Sequence, residues 1–140
     1  DCSNIEFSGI GFGSADYCAS TGGDMGKASL AYGRGKIINA AALYNTLALD
    51  GVWLDFRDPE GCKEETLYVK TMGFKGRFAI HPDQIKPIHD AYRPTPEELE
   101  WAKGVLEEAK TAGSGAFKYQ GKMVDAPVLA VARLIISRED

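Results

Sequence analysis

The sequence predicts an α/β fold with parallel strands, on three observations. Short apolar runs rich in β-branched and aromatic residues alternate with helical stretches of roughly ten to twenty residues. Each run stops at a carboxylate, glycine or proline turn. The order along the chain is strand, helix, strand, helix, strand, helix, which calls for right-handed crossovers and parallel pairing. Three such strands leave two sheet edges exposed, which invites completion by further strands.

The first run, from Ile10, is apolar and glycine-rich and ends abruptly at Asp16, so Asp16 reads as a carboxylate at a strand's carboxyl end. Its alternative is a helix N-cap or turn residue. Ser20–Gly26 is rich in glycine and small polar residues and reads as an extended loop able to cover a site. A helix spans about Ser29 to Leu49, with Ile37, Ala41, Tyr44 and Ala48 on one face. Gly33 and Gly35 weaken its start and shift it toward Lys36. Asp50-Gly51 ends it, and Val52–Phe56 reads as the second strand, leaving Asp55 near that strand's end.

Arg57–Gly61 is a turn, Cys62–Met72 a helix closed by Gly73, and Gly76–Ile80 a third strand stopped by His81-Pro82. Ile85, Ile88 and Tyr92 mark the next helix. At Pro94 the character changes. Thr95-Pro96-Glu97-Glu98 has the form of a capping box and opens a helix with the stripe Leu99, Ala102, Val105, Leu106 and Ala109. Gln120-Gly121 between two short β runs signals a hairpin, and Asp125-Ala126-Pro127 starts a last helix bearing Val128, Ala132 and Ile135. The chain therefore divides into an α/β part, residues 1–93, and a helix, hairpin and helix, residues 94–140.

With 44% hydrophobic and 26% charged residues, the 140-residue chain has the composition of a soluble globular protein. A net charge of -4 argues against nucleic acid as a partner, because phosphate binding needs clustered Lys and Arg. Its apolar runs are too short to span a membrane. Cys2, Cys18 and Cys62 are odd in number, without a CxxC pairing, which suits an intracellular, reducing location. The start at Asp1-Cys2-Ser3-Asn4, without Met, leads straight into a strand and suggests an excerpt from a longer protein.

No P-loop, GxGxxG, HExxH or GxSxG motif occurs. His81 and His89 fall about 80° apart on a helix and make a weak metal pair, against one capping and one surface histidine. Asp16 and Asp55 would emerge on one face of a parallel sheet, and oxygen ligands of that kind suit Mg²⁺ or Mn²⁺. Their plain alternatives are turn and capping roles. For Asp125 the plain reading is an N-cap.

Four segments occur in a known order: Phe12–Tyr17, Asp50–Gly61, Gly73–Ile85 and Gly121–Pro127. Together they resemble the CoA-ester lyases, the citrate lyase beta-subunit-like family with malyl-CoA and citramalyl-CoA lyases, over nearly all of the chain. The resemblance implies the C-terminal part of a TIM (β/α)₈ barrel, its last three β/α units, plus a C-terminal helix-hairpin-helix lid extension. It implies a Mg²⁺-dependent lyase that cleaves a 3-hydroxyacyl-CoA into an acyl-CoA and a 2-oxo acid, or condenses them. By resemblance Asp16 is a metal ligand, and Phe12, Gly13 and Ser14 lie near the substrate carboxylate. Asp125 is the lid carboxylate that handles a proton in a neighbouring subunit's site, which makes the protein a homo-oligomer. Asp55 orients substrate or a loop, and His81 and Pro82 border the coenzyme A ester. The family's substrate arginine and metal-sharing glutamate fall outside these residues, so the 140 residues alone are expected to be inactive. A CoA-free 2-oxo acid aldolase and a non-catalytic half-barrel partner are the alternatives. The expected location is the cytoplasm, or the mitochondrial matrix in a eukaryote.

Overall fold

The structure, a computed structural model, describes residues 7–113 and 115–139; Cys2 and the Asp1–Asn4 start lie outside them. It forms two compact units, Asp1–Tyr92 and Arg93–Asp140.

The first unit is built on a parallel sheet of order β1-β2-β3, with β1 at Gly9–Gly11, β2 at Leu47–Asp50 and β3 at Gly76–Arg77. The helices are α1 (Ser14–Thr21), α2 (Lys27–Leu43), α3 (Pro59–Met72) and α4 (Ile85–Tyr92), the last preceded by a single 3₁₀ turn at Pro82–Gln84. Along β2 the side chains alternate: Ala48 and Asp50 are buried, while Leu47 is 52% exposed. Ala48 joins Phe12, Cys18, Leu30, Ala41, Val69 and Phe74 in the core.

Two sequence expectations are corrected here. The helix expected to reach Leu49 ends at Leu43, because Asn45 takes a left-handed conformation (φ 49°) and turns the chain out of the helix. The central strand is therefore Leu47–Asp50 and not Val52–Phe56, which forms a loop. Both readings fit one apolar run; packing selects the first, because Ala48 is small enough to lie in the core and Asp50 meets buried arginines. The same helix starts at Lys27, ahead of Lys36. Gly33 serves close packing there, since a Cβ at that position would stand 2.8 Å from the Phe12 ring.

Three smaller differences follow. The expected loop Ser20–Gly26 gives up its first two residues to the helix α1, and Gly22–Gly26 remains a loop, pinned by Asp24. The Asp24 carboxylate accepts from Ser29 Oγ at 2.7 Å and Gly26 N at 2.9 Å, and these bonds hold it below the usual carboxylate range. Helix α3 begins at Pro59, earlier than Cys62, because Asp58 accepts from Gly61 N as its N-cap. Strand β3 is shorter than Gly76–Ile80, its pairing ending at Asp50↔Arg77.

In the second unit α5 (Pro96–Ala112) packs on α6 (Ala126–Ile136) and on the hairpin of β4 (Phe117–Tyr119) and β5 (Lys122–Val124). Gln120 and Gly121 both have positive φ (48° and 78°), the geometry of a two-residue hairpin turn whose twist matches the strands. Ala102, Val105, Val124 and Ala132 form its core. The capping box is present: Thr95 Oγ1 accepts from Glu98 N at 3.1 Å, and Glu98 Oε2 accepts from Thr95 N at 2.9 Å. Thr95→Ala is expected to lower stability by about 1 kcal/mol in urea unfolding, with Thr95→Ser close to the parent. Equal midpoints for Thr95→Ala and the parent protein would show that the box contributes nothing.

Among the described residues no helix is long and apolar enough to cross a membrane. Cys18 and Cys62 are buried free thiols, and burial pushes the Cys62 thiol up, against the pull of Arg77.

Candidate functional site

Parallel strands deliver their carboxyl ends to one edge of the sheet, where the following loops carry chemistry. Here those loops are Phe12-Gly13 after β1, Gly51–Asp58 after β2 and Phe78–His81 after β3. Glycines bring the loops unusually close. A Cβ on Gly11 would stand 2.6 Å from the Phe78 ring, and one on Gly51 would stand 2.2 Å from Ser14 Oγ. The cavity they leave has a volume of about 250 Å³ and is lined by residues 11–16 with Gly51, Val52 and Phe78.

Asp16 stands in that cavity, in the first turn of α1 and beyond the end of β1 at Gly11 rather than at the strand end itself. It is exposed, and among the described residues its carboxylate makes no hydrogen bond or ion pair. Gly13 lets it fold back, since a Cβ there would lie 3.1 Å from Asp16 Oδ2. Phe12 and Ser14 are buried on either side of Gly13, and Ser14 N donates to Phe12 O at 3.0 Å.

A hard, uncommitted carboxylate at a helix N-terminus, facing a small cavity, suits Mg²⁺ or Mn²⁺, which keep waters and take only one or two protein carboxylates. The donor chemistry of Asp16 therefore fits an ion of this kind. Among the described residues no three His, Cys, Asp or Glu side chains group to hold a metal.

Beneath the cavity lies a cluster that sequence reading did not identify. Asp50, fully buried at the end of β2, accepts from Arg34 Nε at 3.1 Å and Nη2 at 3.0 Å, and from Arg77 Nη2 at 2.7 Å. Arg34 Nη2 also meets Glu65 Oε1 at 2.8 Å. Burial alone would lower the Arg34 guanidinium; Asp50 and Glu65 outweigh it and hold it above its ordinary value. Arg77 in turn donates from Nε to Gly51 O at 3.0 Å, so the cluster fixes the glycine that packs on Ser14. The available signal was Asp50 inside the apolar run Leu47–Leu54 and Arg34 inside a mostly apolar helix.

Asp55 is not a strand-end partner of Asp16. It sits in the exposed loop after β2, where its Oδ1 accepts from Arg57 N at 3.0 Å, and it lines a second cavity of about 270 Å³ with Arg34 and Trp53. Val52 lines both cavities. His81 takes a capping position: its Nδ1 accepts from Asp83 N at 3.2 Å, and Pro82 opens the 3₁₀ turn. The His81 ring stacks on Phe56 with centroids 4.6 Å apart and planes 25° apart, and the Arg57 guanidinium lies 5.3 Å from the Phe56 centroid. Asp125, in the second unit, is exposed and caps α6, its Oδ1 accepting from Val128 N at 3.3 Å.

Known proteins resemble this chain in sequence and fold. The mitochondrial citramalyl-CoA lyase of Rattus norvegicus is 37% identical over 131 residues, which cover 90% of this chain and 39% of that protein. A citrate lyase subunit beta-like protein of Mycobacterium tuberculosis is 39% identical over 137 residues, covering 93% of this chain and 50% of the relative. The chain thus spans about half the length of such relatives or less. Among solved structures, the protein CitE of Mycobacterium tuberculosis in complex with magnesium, acetoacetate and coenzyme A superposes with a TM-score of 0.76 at 36% identity, over 94% of this chain and 52% of that one. A citrate lyase of Burkholderia xenovorans, at 19% identity and a TM-score of 0.77 over 97% of this chain and 47% of that one, shares the fold. With its residues 35–139 matched by the family profile, the chain belongs to the family C-C_Bond_Lyase of the TIM-Barrel fold.

Proposed function

We propose that the chain is the C-terminal part of a (β/α)₈ barrel, its last three β/α units, followed by a helix-hairpin-helix lid. The complete protein, in this reading, is a magnesium-dependent lyase that cleaves a 3-hydroxyacyl-CoA of the malyl, citramalyl or citryl type into an acyl-CoA and a 2-oxo acid, or runs the condensation. The observation that carries it is Asp16, an uncommitted carboxylate in a glycine-lined cavity at the strand ends of a carbon-carbon lyase fold. The names of the relatives and the magnesium, acetoacetate and coenzyme A bound to the Mycobacterium protein support the choice of metal and substrate class.

Asp16 would hold the Mg²⁺, which when bound polarises the 2-oxo acid carbonyl and stabilises charge on its oxygen. The backbone of Phe12, Gly13 and Ser14 borders the substrate carboxylate, and His81 and Pro82 border the acyl-CoA. Asp55, bonded to its own loop, orients that loop. In cleavage the hydroxyl gives up its proton and becomes the carbonyl of the 2-oxo acid as the bond between its carbon and the thioester's α-carbon breaks, the electron pair passes to the α-carbon, and that carbon takes up a proton, so no net proton is gained or lost. We assign that proton to Asp125, carried by the lid into a neighbouring subunit's site, which makes the protein at least a dimer.

Titration of the complete protein with coenzyme A esters tests the reading, and no binding at about millimolar concentration would overturn it. Asp125→Asn separates chemistry from structure, because Asn caps a helix as well as Asp does. Turnover is expected to fall about a hundredfold, with coenzyme A ester affinity and unfolding midpoint little changed. Turnover at the parent rate would remove Asp125 from the proton transfer.

A further inference from the structure

Beyond Arg77 and Phe78 the last two strands of the sheet stop pairing: Phe78 N donates to Asp50 O at 3.1 Å, and the chains then separate into the loops after β2 and β3. A side chain fills the gap where the next ladder bonds would fall. Gln84, 1% exposed, donates from Nε2 to Trp53 O at 2.7 Å, and its Oε1 accepts from Ile80 N at 2.9 Å. The polarity is forced, since Trp53 presents a carbonyl and Ile80 an N–H, and a primary amide offers a donor and an acceptor in this spacing without charge at every pH. Gln84 thus stands in for a peptide unit between the two loops. On these loops ride Phe56 and His81, whose rings stack, with Arg57 beside them.

We infer that Gln84 is a positioning residue: by clamping the Trp53 loop to the Ile80–Gln84 segment it holds the Phe56–His81 stack in place, and with it the rim that receives the acyl-CoA. The inference rests on the proposed function for the identity of what the rim receives, and on the two hydrogen bonds for the clamp itself. Gln84 touches no reacting atom; it acts through Trp53, Phe56 and His81.

Gln84→Glu and Gln84→Met in the complete protein test it, with acetyl-CoA as the probe. A protonated glutamate reproduces both bonds, its O–H donating to Trp53 O and its C=O accepting from Ile80 N, whereas the carboxylate has no proton to donate. Burial keeps that carboxyl neutral to higher pH than in water. His81 and Asp83 in the same segment, and Asp55, Arg57 and Asp58 in the facing loop, are common to every variant, so each is compared with the parent at the same pH. Gln84→Met is expected to weaken acetyl-CoA binding about tenfold at every pH. Gln84→Glu is expected to match the parent at about pH 5.5 and to bind about tenfold more weakly at about pH 8.5, while magnesium affinity stays within about twofold in both. Parent-like binding by both variants across the range would overturn the inference, as would a pH-independent defect in Gln84→Glu. If the parent itself binds no acetyl-CoA, the functional reading fails and the clamp is judged on hydrogen exchange alone. Gln84→Met should then accelerate exchange of segments 53–58 and 78–84 about tenfold, and unchanged exchange overturns it.

Discussion

Asp16→Asn in the complete protein is expected to reduce magnesium-dependent turnover about a thousandfold or more while leaving the unfolding midpoint nearly where it was. The two halves of that expectation have separate physical sources. Asparagine has the shape of aspartate but offers the metal a neutral oxygen, so the charge that secures a hard cation is gone. The fold loses almost nothing, because the carboxylate is exposed and unbonded among the described residues. What remains is its attraction to the start of α1, worth about 0.3–1 kcal/mol. Turnover measured against magnesium concentration, with an unfolding curve on the same preparation, checks both halves. Parent-like turnover at saturating magnesium would refute the ligand assignment.

The opposite pattern is expected at Asp50, where stability falls first. Asp50→Ala leaves Arg34 and Arg77 buried, with side chains 2% and 1% exposed, facing a hole where their shared carboxylate was. Removing one partner from a buried ion pair costs about 3–5 kcal/mol, because the remaining charge stays desolvated. Glu65 retains part of the Arg34 interaction, whereas Arg77 keeps only neutral acceptors, Gly51 O and Thr66 Oγ1. Urea unfolding checks the size of the loss, and a change below about 1 kcal/mol would mean that water or a rearranged Glu65 reaches both guanidinium groups. The triple change Asp50→Leu, Arg34→Met, Arg77→Met is expected to recover much of the loss, since an apolar cluster of similar volume has no charge to desolvate.

Local chemistry was the part of the fold legible in the sequence. The capping box at Thr95, the Gln120-Gly121 turn and the Gly73 helix end each depend on a few adjacent residues, and each stands where the sequence puts it. The stretch from Thr46 to Phe56 was not decidable that way. It is an apolar stretch broken by Asp50-Gly51 and again by Asp55, and which half becomes the strand depends on Arg34 and Arg77, sixteen and twenty-seven residues from Asp50. The misplacement of Asp55 follows from the same cause: shifting the strand moves the strand-end carboxylate from Asp55 to Asp50, and that carboxylate is buried in ion pairs rather than offered to a ligand. Asp16 stands out in the sequence as the acid that ends a glycine-rich apolar run, with a cap or turn role as the plain alternative, and its reading as a metal ligand rests on the family resemblance. The capping role of Asp125 was open to local reading as well, while its chemical role rests on the family resemblance alone.

The glycines around Asp16 also bear on how the site tolerates substitution. Gly11 faces the Phe78 ring, Gly33 the Phe12 ring and Gly51 the Ser14 hydroxyl, each at a distance that a methyl group would violate. None of the three could bring a side chain to a ligand, yet none can acquire one unless the facing group moves. A larger residue at any one of these positions therefore displaces the group that faces it, and a paired change that also trims the facing group relieves the clash. The turn that leads into the helix of Asp16 is therefore shaped by its neighbours across the sheet, through glycines that no side chain replaces without moving the group that faces it.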